Sequence, residues 1–191
     1  MQLAMKIGVA LVSVCAIAVL GDWILYEWDV VRPVDAEAAS VLAQADPEDR
    51  NPPPVIRRVV LADLRGDSGV ANQVARLLET RLWVGARRRN FDRELHELLV
   101  AHVCEQLSEQ QLIGLYATLA FNGVGQGMNS LSLRQFAKPL HQVSLDEAAT
   151  LQGILRGPSH VLKSPQRLQE ARARVLVRLG SAPASSGSTA P

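Results

Sequence analysis

Two histidines, a run of arginines and a serine–glutamine pair are the residues of this chain whose types could do chemistry. His96 and His102 stand in "HELLVAH", a stretch that invites a metal-site reading. Helical metal ligation needs histidines four apart, where about 100° per residue returns both to one face. Six residues apart they diverge around the helix, so His96 reads as a solvated residue and His102 as a partly packed one. "GARRRNFDRE" gathers Arg87, Arg88, Arg89 and Arg93. Guanidinium forks match phosphate oxygens, and next to a membrane the same cluster could meet anionic headgroups; the plain alternative is a solvated basic loop between helices. Arg93 and Glu97 sit four apart, the spacing of a helix-face ion pair contributing about 0.3–0.5 kcal/mol. Ser68 and Gln73 lie in "GDSGVANQVARLL", where Ser68 could equally bond a free first-turn amide. Arg65-Gly66-Asp67 invites an adhesion reading, but nothing around it supports one.

The elements that must hold these residues are helices. Val70, Val74, Leu77, Leu78 and Leu82 share one helix face, and Leu112, Leu115, Tyr116 and Leu119 form another apolar stripe. Leu95, Leu98, Leu99, Val103 and Leu107 do so less regularly. Ser144-Leu145-Asp146-Glu147 is a capping box that opens a helix running through Leu155. Ser164-Pro165 is a cap followed by proline at the first helical position, with Leu168, Val175 and Leu179 facing inward. No strand alternation occurs, so the fold class is mainly α.

Composition bounds the rest. The chain has 191 residues, 48% of them apolar, enough for one small core with appendages. A formal net charge of +1 gives no bulk electrostatic case for nucleic acid. Cys15 and Cys104 are too few and too far apart in context for a disulfide framework, and no Cys/His spacing supports zinc.

Lys6 precedes the uncharged run "IGVALVSVCAIAVLG". That run is shorter than the roughly 20 residues of a bilayer span, but extension from Met1 through Leu25 makes one feasible, with Trp23, Tyr26 and Trp28 as an interfacial belt. Residues 1–29 are therefore expected to be a single-pass transmembrane helix, with the basic end cytoplasmic and the domain on the outer side. The rival is a cleaved signal peptide ending near Ala16-Ile17-Ala18. Residues 30–54 read as a spacer rich in Ala, Asp, Glu and Pro, residues 55–180 as the helical domain, and residues 181–191 as a disordered tail.

Taken in order, the motifs resemble the family 51 peptidoglycan glycosyltransferases, the transglycosylase domains of penicillin-binding proteins and their monofunctional relatives. "GDSGVANQVARLL" is similar to a Gly-x-Ser-Thr-x-x-Gln-Gln motif continuing into Val-Ala-Lys; Gly66, Ser68, Gln73, Val74 and Ala75 match, while Gly69 replaces threonine and Asn72 the first glutamine. "RELHE" resembles Arg-Lys-x-x-Glu, so Arg93 and Glu97 match and Glu94 replaces lysine. In the next motif Tyr116 matches, but Glu109, Gly114 and Thr118 stand where lysine, glutamate and asparagine are expected. "FAKPLHQVSLDEAATLQGILRGPSHVLKSPQRLQEARARVL" is the best stretch, similar to the family's closing segments. The likeness runs from about Pro52 to Leu179.

The resemblance implies a shortened lysozyme-like transglycosylase fold and a family that joins lipid II disaccharides into glycan strands. It implies a general-base glutamate in a Glu-Asp-x-x-Phe-x-x-His motif, and a second glutamate, matched by Glu97, that helps the lipid pyrophosphate depart with basic residues and often a divalent cation. Here Ala62-Asp63 stands where Glu-Asp should begin, no Phe or His follows, and the long segment between the first two motifs is absent. Asp63 or Asp67 as a substitute base would be a methylene short, and about 1 Å of misplacement can cost on the order of 100-fold in rate. The expectation is a non-catalytic relative anchored by a single pass in a bacterial inner membrane, its domain on the periplasmic or outer side, with Glu97 and Asp63 as remnant catalytic positions and Ser68, Gln73, Arg89 and Arg93 as substrate-binding positions. No metal site is assigned. Its expected partners are the membrane, lipid II or nascent glycan, and other cell-wall synthesis proteins. A divergent active polymerase and an unrelated helical interaction module remain as alternatives.

Overall fold

The computed structural model describes residues 13–14, 16–17, 20–21, 23–83 and 93–181. Among them regular structure is helical, and the one β-type contact is an isolated antiparallel bridge between Phe121 and Gln126. A π-helical turn at Glu27–Val31 runs without a break into α1 (Arg32–Gln44). There follow α2 (Pro47–Arg50), α3 (Pro54–Leu64), α4 (Asp67–Trp83), α5 (Arg93–Gln106), α6 (Glu109–Leu119), α7 (Met128–Phe136), α8 (Leu145–Leu155), α9 (Pro158–Val161) and α10 (Pro165–Ser181).

The expected transmembrane helix, and the single-pass inner-membrane location built on it, do not hold. Among the described residues no helix is long and apolar enough to cross a membrane. The physical reason is visible around Tyr26. The helix does not stop at an interface but continues through Glu27 and Asp29, where Val30, Val31 and Val34 turn into the protein core. Trp23 packs on Tyr26 with ring centroids 6.0 Å apart, and Trp28 receives the Arg32 guanidinium 3.7 Å from its ring centroid. Of the segment read as an anchor, residues 1–12, 15, 18, 19 and 22 lie outside the described residues, as do 182–191 of the expected tail.

Residues 30–54, read above as a spacer, carry α1 and α2. Val34, Ala38 and Val41 recur at helical spacing and enter the core; full burial of each valine contributes about 1.5–3 kcal/mol. The prolines that suggest a stiff linker instead start helices, where a missing N–H costs nothing. Pro33, Pro47 and Pro54 each occupy the first or second helical position.

Helix α6 is the centre. Its Leu112, Ile113, Leu115, Tyr116, Ala117 and Leu119 are buried, and α1, α2, α4 and α7 pack around it. Ser108 and Gln111 close a capping box at its start. Helices α8, α3 and α10 form the second group. Here the Ser144–Glu147 capping box forms as the sequence predicts, and α10 buries Ala171, Val175 and Leu179 along one stripe. Gly153 lets α8 and α10 approach: a Cβ there would stand 3.1 Å from the Ala171 backbone and side chain.

The junction of α3 and α4 is a tight turn. Arg65 and Gly66 take left-handed φ values of 66° and 86°, and both donate to the Leu61 carbonyl. This reverses the chain in two residues, so Arg65-Gly66-Asp67 is a helix–helix turn. The turn brings the Leu64 carbonyl against α4, and a Cβ on Gly69 would lie 1.6 Å from that oxygen. Glycine therefore stands where the family pattern has threonine because there is no room for a side chain. Gly114 has a parallel reason. A Cβ there would meet the Arg50 carbonyl oxygen at 2.6 Å, so the end of α2 lies directly against this face of α6.

Candidate functional site

Ile56, Val59, Val60 and Asp63 form one stripe of α3, and all four are buried. A carboxylate on an apolar stripe is costly unless it is paired and hydrogen-bonded, and Asp63 is both. Its Oδ2 accepts from Gln152 Nε2 and from Arg156, each at 2.9 Å, and its Oδ1 accepts from Arg178 at 2.5 Å. Tyr116 donates its hydroxyl to Gln152 Oε1 at 3.2 Å. Burial pushes the Tyr116 phenol up to about 12, so it stays a neutral donor at ordinary pH. One carboxylate thus ties α3 to α8, α10 and, through Gln152, α6. The Asp63 side chain has no exposed area, whereas those of Arg156 and Arg178 are 45% and 39% exposed. The arginines cap the acid and face outward.

Chemically this is a structural hub. A general base must present a lone pair within hydrogen-bond reach of the hydroxyl it deprotonates. Both Asp63 oxygens point at protein donors, and the bound arginines lie between the carboxylate and solvent. Asp67, the other acid near this position, is exposed at the first residue of α4.

The remaining sequence-derived positions lie elsewhere. Ser68 is exposed in the first turn of α4; the helix starts at Asp67, so Ser68 follows the cap position rather than filling it. Gln73 is half-buried on α4, and Glu97 is exposed on α5. Arg93 is the first residue of α5, four before Glu97, and Arg89 lies outside the described residues. Neither Ser68, Gln73 nor Glu97 lines the cleft at Asp63. The two histidines of "HELLVAH" take separate partners, His96 Nδ1 with Glu79 at 2.7 Å and His102 Nε2 with Asp35 at 2.9 Å. Among the described residues no three His, Cys, Asp or Glu side chains come together as a metal site.

Gln152, Arg156 and Arg178 were not singled out from sequence, since they lie 89, 93 and 115 residues from Asp63. One local signal existed: an aspartate at the i, i+3, i+4, i+7 position of the apolar stripe of α3 must find cations somewhere. A second buried acid also escaped notice. Asp49 of α2 accepts from the backbone N–H of Asn129 at 2.7 Å. Burial pushes its carboxyl up to about 7, opposed by hydrogen bonds from the Asn129 and Met128 backbone and aided by the nearby charges of Asp46 and Glu48.

Comparison with known proteins agrees with this architecture. A family profile described as Transglycosylase matches residues 55–180, about two thirds of the chain. The chain belongs to that family, the family 51 peptidoglycan glycosyltransferases, and the unrelated-module reading falls away. A Cupriavidus necator protein named as a transglycosylase is 28% identical over 119 residues, covering 60% of this chain and 49% of its own. Penicillin-binding protein 2a of Streptococcus pneumoniae is 30% identical over 95 residues, or 49% of this chain and 13% of its own. Penicillin-binding protein 1A of Pseudomonas aeruginosa is 30% identical over 95 residues, 48% of this chain and 12% of its own. The chain thus matches about half the length of the first relative and about an eighth of the other two.

Proposed function

We propose that this domain keeps the helical frame of a peptidoglycan transglycosylase without polymerising glycan, and serves cell-wall synthesis by binding lipid II. The observation that carries the reading is Asp63. The acid at the Glu-Asp pair of the family's base motif is buried behind Arg156 and Arg178, with both oxygens committed. The two-residue turn at Arg65-Gly66 supports the same reading, because it replaces the segment that in the family builds much of the acceptor groove. Without a positioned base the acceptor hydroxyl keeps its proton, and a carboxylate in the Glu97 position assists only the departure half of the reaction.

Binding is separable from turnover. Fluorescent lipid II titrated with the purified full chain in detergent is expected to show saturable anisotropy while the sugar chains remain unpolymerised. Absence of saturable binding would remove the proposed role, and growth of glycan strands would remove the non-catalytic reading.

A further inference from the structure

Beyond lipid II binding, the geometry points to a second site: an oxyanion-binding cleft between α8–α9 and α10, taking a phosphate-class group such as a terminal phosphate or pyrophosphate. The cleft has a volume of about 360 Å³ and is lined by Asp63, Arg156, His160, Val161, Arg174 and Arg178 among others. That size falls at the lower end of small-ligand pockets, which run from about 300 Å³. Asp63 is the only carboxylate among the lining residues, so three arginines and one buried acid share the lining.

The fold requires only part of this charge. Asp63 is satisfied by Arg156, Arg178 and Gln152. Arg174 is additional: it is exposed, and among the described residues it has no hydrogen-bond or ion-pair partner. A third like charge in a concave site costs stability unless a counter-ion enters, because walls of low dielectric focus the field there. Arg156 and Arg178 each give one nitrogen to Asp63 and carry further N–H donors on the same planar fork. The buried acid therefore holds two forks in fixed orientation at the mouth of the cleft, with Arg174 beside them. Planar forks held in place suit a phosphate-type oxyanion better than mobile lysines do. His160 stands on the rim within 3.5 Å of Arg167. None of these cations comes from the Arg87–Arg93 run on which the sequence reading placed phosphate recognition.

The site is tested by titrating the full chain calorimetrically with inorganic phosphate, inorganic pyrophosphate and farnesyl pyrophosphate at one fixed ionic strength. Saturable binding is expected, weakened at least about tenfold by Arg174→Ala, as loss of a charge-assisted contact implies, and partly kept by Arg174→Lys. Arg76→Ala, outside the cleft on α4, leaves affinity unchanged. Among the described residues Arg174 has no hydrogen bond or ion pair to lose, so its variants are expected to fold; pyrophosphate should raise the melting temperature of wild type but not of Arg174→Ala. Equal affinity for inorganic and farnesyl pyrophosphate assigns the site to a free anion, and tighter binding of the farnesyl compound to a lipid-linked one. No saturable binding, or a response matched by sodium chloride at equal ionic strength, or affinity within twofold in Arg174→Ala, would overturn the inference. Because none of these ligands is polymerised and none carries the disaccharide, failure here leaves the lipid II reading standing.

Discussion

Substituting Gly69 by alanine adds one methyl group where α4 meets the end of α3, and the structure gives its cost. The new Cβ would stand 1.6 Å from the Leu64 carbonyl oxygen, against an ordinary contact of 3.4 Å or more. The obstacle is main chain, so no rotamer change relieves it. The turn must open, which breaks the bonds from Gly66 N–H to Leu61 and from the Gly69 and Val70 N–H groups to Gly66. At a net value of about 1 kcal/mol each, Gly69→Ala should lose about 3 kcal/mol, a large fraction of a total stability of roughly 5–15 kcal/mol. For a domain of this size each 1 kcal/mol moves Tm by roughly 2–4 °C, so thermal unfolding followed by circular dichroism should shift down by roughly 6–12 °C. Gly66→Ala is the internal comparison. It adds a Cβ to open space at φ 86°, leaving only the left-handed penalty of about 1–2 kcal/mol. If Gly69→Ala unfolded within about 1 kcal/mol of wild type, or was less damaging than Gly66→Ala, the two-residue junction would be refuted.

Two further outcomes follow from the buried acids. Asp63→Ala strands the Gln152 amide in the core, while Arg156 and Arg178 can turn to solvent. The loss should therefore sit near the lower end of the 3–5 kcal/mol typical of a broken buried pair, about 3 kcal/mol by urea unfolding; unchanged stability would mean that the hub contributes nothing. Asp49 is raised in the folded state, so its protonated form is favoured by folding, and its contribution is full below about pH 4 and declines as pH rises through about 7. Tenfold in proton affinity is about 1.4 kcal/mol, which makes the decline on the order of 4 kcal/mol. Asp49→Asn should flatten the wild-type loss of stability between pH 4 and 8, and parallel pH profiles for the two proteins would contradict the assignment.

The sequence carried much of the frame and little of the site. Stripes such as Val70, Val74 and Leu78, and the box formed by Ser144 and Glu147, are local patterns, and burial and hydrogen bonding in the structure match them. Residues 30–54 misled because their core positions, Val34, Ala38 and Val41, are small and sparse among acids and prolines. The membrane reading failed for a related reason: an apolar run followed by aromatic residues looks the same whether the helix ends at an interface or continues into a core. Gly69 and Gly114 were visible as departures from the family pattern, but their cause is the approach of another element's backbone, which no local pattern records. The partners of Asp63 were hidden by distance along the chain, with Arg178 on the last helix.

Turnover separates a sequestered Asp63 from a working base. Lipid II is incubated with the purified full chain, with Glu97→Ala, and with an active penicillin-binding protein in the same buffer with divalent cation supplied, and products are resolved by length. Glycan strands are expected from the penicillin-binding protein alone. Strands made by the wild type and lost in Glu97→Ala would contradict the non-catalytic reading, and would mean that a base other than the sequestered Asp63 serves the acceptor.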